Sequence, residues 1–162
     1  MIHKSILSIL ATIAGFMSFA QTMQVWNWNS YKIKFKAPDN MIVSKSDGTV
    51  YEASNRNITM DIYPRKSENL TYDGMKQAIL NWANKLSMSW GSTSSGESQP
   101  VYLKSINGYW GCAIDGSKNG FSASVLLLVD PDNPDISFYI WVSYAKEYYH
   151  DVVTILKSFT PM

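Results

Sequence analysis

Few side chains in this sequence are spaced to do chemistry. "GFSAS" (Gly120–Ser124) approaches a nucleophile elbow but lacks its closing glycine, and it feeds a strand where an elbow needs a strand-to-helix turn. "DPDNPD" (Asp130–Asp135) gathers three carboxylates in six residues, a loose calcium pattern. Pro134 stands where an EF-hand loop has its fifth-position ligand, and no glycine follows at the sixth. Asp, Asn and Pro in that order make a turn on conformational grounds alone, which is the expectation here. Past the first 20 residues His150 is the one histidine, so a histidine metal cluster within one chain is excluded. Its helical phase sets it opposite Tyr148, Val152 and Ile155, facing solvent. Cys112 is the single cysteine and has no partner for an internal disulfide. It lies between Trp110 and Ile114 with no adjoining His, Lys or Arg to lower its pKa, which describes a buried, inert thiol. Glu52, Asp61 and Asp115 form an acid–base pair only if folding brings two of them together, since their spacing does not pair them. No glycine-rich phosphate loop is present. The expectation is therefore no catalytic residue, no metal and no cofactor, with a carboxylate-dependent hydrolase as the enzymatic alternative.

The aromatic residues carry more information. They make up 14% of the chain, with 10 Tyr and 6 Trp, and such rings offer an apolar face with a polar tip. In "QVWNWNSYKIKF" (residues 24–35), Trp26 and Trp28 fall on one beat of an extended chain and Tyr31, Ile33 and Phe35 on the other. The phase slips at Asn29-Ser30, residues suited to a turn or bulge, so a short leading segment precedes a separate strand. Trp26, Trp28 and Trp90 are the candidate ligand-binding residues. Within the leading pair, Trp28 is expected to pack and Trp26 to stay partly exposed.

The elements that position these residues begin after a leader. "MIHKSILSILATIAGFMSFA" has a short basic start at Lys4, an apolar stretch from Ile6 to about Phe19, and small residues Ser18 and Ala20 at the −3 and −1 positions. This is the pattern of a signal peptide over residues 1–20, leaving residues 21–162 as a single domain. The apolar stretch is shorter than the roughly 20 residues that span a bilayer. Export to the periplasm or outside the cell follows as an expectation, with no membrane span after cleavage. The sequence holds 14 Lys and Arg, one of them in the leader, against 13 Asp and Glu. This balance offers no electrostatic footprint for nucleic acid or an anionic membrane.

"YKIKFKA" alternates apolar and lysine positions, a half-exposed strand whose lysine row suits a sheet edge. "MIVSKS" and "TVYEAS" flank Asp47-Gly48, a hairpin signal, and "NITMDIYP" adds another strand. The period then becomes helical from Thr71 to about Met88: Met75, Ile79, Trp82 and Leu86 share a face, and Thr71 is placed to cap it. A polar loop over residues 91–100 leads to four strands with turns at Asn107-Gly108, "GSKNG" and "DPDNPD". Val125–Val129 and Phe138–Val142 are apolar without alternation, as strands covered on both faces are. A last helix from about Glu147 lines up Tyr148, Val152, Ile155 and Phe159, and Pro161 stops it. The order ββββ-α-ββββ-α predicts an α+β fold: a single twisted, mostly antiparallel sheet of about six to eight strands with helices on its faces.

This element order, the opening "YKIKFKAPDNMIV" and the closing "DVVTILKSF" resemble the PsbP-like fold superfamily. The resemblance implies an antiparallel sheet between helices. That group includes many small secreted bacterial proteins, accessory subunits of photosynthetic complexes and small-GTPase partners, so it selects no function. No motif carries a functional residue across. The sequence thus points to an exported, non-catalytic domain that binds a partner protein or small ligand through surface aromatics. The further alternative is an accessory subunit of a larger envelope complex.

Overall fold

The computed structural model describes residues 20–91 and 99–162. The expected leader therefore lies outside the described residues, Ala20 excepted, as does most of the expected loop of residues 91–100. The described residues form ten strands and two α-helices: β1 (Met23–Trp28), β2 (Ile33–Pro38), β3 (Ile42–Ser46), β4 (Tyr51–Ser54), β5 (Ile58–Lys66), α1 (Met75–Lys85), β6 (Val101–Ile106), β7 (Tyr109–Lys118), β8 (Phe121–Val129), β9 (Ile136–Tyr144), α2 (Tyr149–Lys157) and β10 (Thr160–Pro161). Seven strands form one sheet in the order β3-β4-β5-β9-β8-β7-β6, and β1-β2-β10 form a second, small one. Every named pairing is antiparallel.

The α+β class and the size of the main sheet agree with the sequence pattern, and so does the doubly covered centre. Along β8, Val125, Leu127 and Val129 point to one layer while Leu126 and Leu128 point to the other, all fully buried. On the first side, α1 lays Met75, Ile79, Trp82 and Ala83 over β7 and β8. On the second, α2 and the small sheet bring Val152, Ile155, Phe159, Ile33 and Phe35 against Leu126, Leu128, Ile140 and Val142. Burying this apolar area on both faces supplies stability without any disulfide.

The sequence reading expected a single sheet, whereas β1, β2 and β10 form a separate one because the chain returns after α2 to pair with β2; two boundaries and one neighbour differ as well. Strand β2 is the middle strand of the small sheet, not an edge, because Thr160 and Pro161 pair with Lys34 and Ile33. Its lysines do face solvent, which alternation reports; alternation says nothing of lateral neighbours. Helix α1 starts at Met75, four residues after Thr71. Thr71 Oγ1 instead accepts the Gly74 N–H at 3.2 Å, closing a separate turn before the helix. The last helix opens with a 3-10 turn at Lys146–Tyr148.

The turns follow their residues. Asp47 Oδ1 accepts the Thr49 hydroxyl (2.6 Å) and the N–H groups of Thr49 (2.7 Å) and Val50 (3.1 Å), and these donors pull its pKa down to about 2. Asn107 and Gly108 both have positive φ, +50° and +102°, the geometry a two-residue hairpin needs. The Asn107 amide then donates to the carbonyls of Lys157 and Phe159, tying the β6–β7 hairpin to the end of α2. Asp130 Oδ1 accepts the Asp132 N–H, and its carbonyl accepts the Asn133 N–H, so "DPDNPD" is a turn. Among the described residues no three His, Cys, Asp or Glu side chains are grouped to hold a metal ion. Cys112 is fully buried, and burial pushes its thiol up to about 11. His150 is exposed. Among the described residues no helix is long and apolar enough to cross a membrane.

Candidate functional site

The opening stretch of sequence builds core rather than a platform. A 3-10 turn at Asn29–Tyr31, closed by Lys32 at φ +53°, separates β1 from β2 and accounts for the phase slip. Trp28 is fully buried: its ring lies 4.6 Å from Tyr31, 5.9 Å from Tyr51 and 6.4 Å from Phe138, and its indole N–H donates to the Asp47 carbonyl at 3.0 Å. With the Tyr31 hydroxyl on the Gly48 carbonyl, it clamps the β3–β4 hairpin. Trp26 is half-buried and donates to the Ala37 carbonyl. The two indoles therefore differ as their positions suggest, but Trp28 has no surface to offer a ligand. The small sheet lies on the main one, so the inner end of β1 goes under.

Trp90 lies elsewhere, in a broad surface groove. This groove encloses about 590 Å3 and is lined by Trp90, Asp115, Ser117, Ser122, Tyr144 and Tyr149, with Lys146 at its rim. A narrower hollow of about 200 Å3 continues from it, sharing Asp115 and Tyr149 and lined by Leu103, Ala113, Leu126, Val153 and Leu156. The two adjoining hollows, here called the trough, share a wall at Asp115 and Tyr149: the wider sets Asp115, Ser117, Ser122 and Lys146 beside two aromatic rings, and the narrower is apolar, between α2 and the main sheet.

Each wall has a cause in the sequence. Strands β7 and β8 pair Asp115 with Ser124, placing both on the face that α2 covers. Ser124 is buried, and its hydroxyl donates to Asp115 Oδ1 at 2.6 Å. A serine hydroxyl has a single proton, so the 3.1 Å contact with Tyr144 is a donation from the tyrosine. The result is a directed chain, Tyr144 to Ser124 to Asp115, ending in the groove floor. Burial pushes Tyr144 up to about 12, so it remains a donor at any physiological pH. Tyr149 starts α2, is 45% exposed, and sits 6.4 Å from the Tyr144 ring. The Asp115 carboxylate beside it, more than burial, raises its pKa.

Trp90 is held by the segment after α1. Ser89 exchanges backbone hydrogen bonds with Ser117 at 2.8 and 2.9 Å, docking that segment onto β7. The approach requires a glycine: a Cβ on Gly116 would lie 2.2 Å from the Ser89 carbonyl oxygen and 2.6 Å from the Met88 methyl. Asn84 Oδ1 then accepts the Trp90 indole N–H at 2.9 Å and fixes the ring plane. Sequence reasoning selected Trp90 but missed its groove partners. Tyr149 reads as part of a helix, and Asp115 pairs with Ser124 only once strand register is known.

Of the three carboxylates that folding was left to arrange, two meet. Glu52 and Asp61 are direct cross-strand neighbours on β4 and β5, on the sheet face opposite to the groove. Burial, and then the Glu52 charge, raises Asp61 to about 6, and the Tyr63 hydroxyl reaches its Oδ2 at 3.5 Å. A smaller hollow of about 360 Å3 lies under α1, lined by Arg65, Glu68, Asn81, Trp82, Lys85 and Tyr139. There Glu68 accepts the hydroxyls of Ser137 (2.5 Å) and Tyr139 (3.0 Å).

These features define an α+β protein with a large antiparallel sheet, helices on both faces and one amphipathic trough. Its architecture is that of the Ran-binding protein Mog1p of Saccharomyces cerevisiae: TM-score 0.57 at 9% identity, covering 86% of this chain and 95% of that one. A mutant of protein Mog1 gives 0.55 at 8% identity with the same coverage. A structure from Bacteroides thetaiotaomicron gives 0.50 at 9% identity, covering 88% of this chain and 48% of that one. At such identities the likeness is one of fold alone. No protein-family model and no curated protein matches the sequence.

Proposed function

We propose that this protein is an exported, non-catalytic binding domain whose trough beside Trp90 and Tyr149 takes a segment of a partner protein or a small ligand. The observation that carries the reading is the trough's division of labour. Two rings and the Tyr144–Ser124–Asp115 chain supply stacking and directed hydrogen bonding at one end. Leu103, Ala113, Leu126, Val153 and Leu156 supply an apolar lining at the other. A site of this size and mixture suits an occupant with a polar head and an apolar body. Lys146 and Asp115 offset each other in charge, so the occupant's head is neutral or carries both signs. Export rests on the leader pattern of residues 1–20, and the PsbP-like resemblance rests on element order and the quoted segments. That Mog1p is a Ran-binding protein supports protein binding as a role this fold can serve.

The test is a binding screen of the exported protein against envelope extract and a panel of neutral oligosaccharides and short peptides. It is read by Trp fluorescence and repeated with Trp90→Ala and Tyr149→Ala. Either substitution is expected to weaken binding about five- to thirtyfold, the scale of one lost aromatic stack of about 1–2 kcal/mol. Binding that survives both substitutions but is lost on Trp26→Ala would move the site to β1. The carboxylate hydrolase is a second reading, favoured by the Glu52–Asp61 pair, and it predicts turnover that Asp61→Asn abolishes.

A further inference from the structure

The residue that follows the expected cleavage point is held in a way that its neighbours do not require. Gln21 donates both its backbone N–H and its side-chain amide to Asp151 Oδ2, each at 3.3 Å. Its side-chain carbonyl accepts the Asn55 amide at 2.7 Å, and that amide also reaches Asn40 Oδ1 at 2.8 Å. Thr22 then accepts the Asp39 N–H at 2.8 Å. Residues 21 and 22 are thus tied to α2, to the β4–β5 connection and to the β2–β3 connection at once.

Asp151 is the notable partner. It is 7% exposed, and among the described residues it accepts hydrogen bonds from the two neutral N–H groups of Gln21. Its place in the first turn of α2 gives it the positive end of the helix dipole. Dipoles are weak compensation for a carboxylate taken out of water, which is costly until a full positive charge faces it. A neutral N–H at 3.3 Å is also long, whereas an ammonium-to-carboxylate hydrogen bond draws in to about 2.7–2.9 Å.

We propose that Asp151 is the receptor for the α-ammonium of Gln21 created by cleavage after Ala20, so that removing the leader completes an ion pair inside the fold. The inference rests on the export reading proposed above. Hydrolysis of the Ala20–Gln21 bond consumes one water, leaving the carboxylate on Ala20 and the ammonium on Gln21. The new charge appears on the nitrogen already aimed at Asp151. Ala20 is exposed and β1 starts only at Met23, so the departing segment takes none of the described strand pairing with it. Cyclisation of Gln21 would expel its side-chain nitrogen as ammonia and turn the α-nitrogen into a neutral lactam, discarding the pair. The captured, protonated amine has no lone pair with which to start that attack.

The experiment compares the exported protein with the same chain begun at Ala20, each with and without Asp151→Asn. Intact mass is expected to give a chain that starts at Gln21 and is not cyclised. Its melting temperature is expected to exceed that of the Ala20 chain by about 4 °C. Asp151→Asn should erase most of that difference, as coupled partners do in a double-mutant cycle. Should Asp151→Asn fail to fold, acylation of the α-amine at pH 7 decides instead. An amine whose pKa is one unit higher reacts about tenfold more slowly than a free peptide terminus. Equal melting of the two chains, with a normally reactive amine, overturns the receptor role and leaves processing standing. A cyclised Gln21 does the same. Exported protein that keeps Met1 overturns both.

Discussion

Replacing Asp61 with asparagine should make the protein more stable at neutral pH and leave it nearly unchanged in mild acid. Asp61 ionises near pH 6 in the fold against 3.8 for the free side chain, because burial and the adjacent Glu52 both disfavour its charge. The folded state therefore binds more protons than the unfolded chain between those two values. Asp61's contribution is fully present below the unfolded value of 3.8, is lost as pH rises to about 6, and is constant above that. Taken at face value the shift corresponds to about 3 kcal/mol at 1.36 kcal/mol per unit. Asp61 keeps part of its surface in water, which screens the effect, and about 1–2 kcal/mol is the fair expectation. Asparagine fills the same volume, still accepts from Tyr63, and carries no charge to bury beside Glu52. Urea unfolding at pH 4 and pH 7.5 measures the difference directly. The variant should gain about 1–2 kcal/mol at pH 7.5 and only about a fifth of that at pH 4. A gain independent of pH, or a loss at pH 7.5, would refute the reasoning. It would mean that Asp61 is held by partners favouring its charged form.

Other substitutions test the architecture and the construction of the trough. Leu127→Ala and Ile140→Ala remove fully buried side chains from strands packed on both faces, and each should cost about 2–5 kcal/mol in thermal or urea unfolding. Trp28→Ala should cost about 3–5 kcal/mol, while half-buried Trp26 should remain open to iodide quenching, which Trp28 resists. Gly116→Ala must push Ser89 off β7, losing about 1–3 kcal/mol and shifting the emission of Trp90, whereas Gly48→Ala, which meets no neighbour, should leave that emission unchanged. His150→Ala should change stability by less than about 0.5 kcal/mol by the same assays.

How much of this could be read in advance depended on which physical constraint wrote the pattern. The centre of the sheet was legible because two covered faces forbid polar residues over Val125–Val129 and Phe138–Val142. The hairpins were legible for two different reasons: Asn107-Gly108 adopts the positive φ that a two-residue turn needs, whereas Asp47-Gly48 does not, and that longer turn is closed by the Asp47 carboxylate on the N–H groups of Thr49 and Val50. The small sheet was not, because two residues of β10 carry no periodicity and pair with β2 only after α2 has returned the chain. The trough was legible in one residue, Trp90. Its floor is set by register: Asp115 pairs with Ser124 and Ser122 with Tyr144, which brings the Tyr144 hydroxyl to Ser124, and no local spacing encodes these pairings. Gly116 had a signal in principle, an unneeded glycine inside a strand, which often marks a close backbone approach. Asp151 carried none, since a lone Asp in the first turn of a helix is ordinary.

The most direct test of the proposed binding role is solvent footprinting in an envelope preparation of the host, the compartment the leader pattern proposes. Hydroxyl-radical labelling of the purified protein and of the protein in an intact envelope preparation would be compared residue by residue. Trp90 and Tyr149 are expected to be strongly protected in the envelope preparation, while Trp26 and Phe121, outside the trough, label equally in both. Unchanged labelling of Trp90 and Tyr149, with protection confined to another surface, would contradict that role.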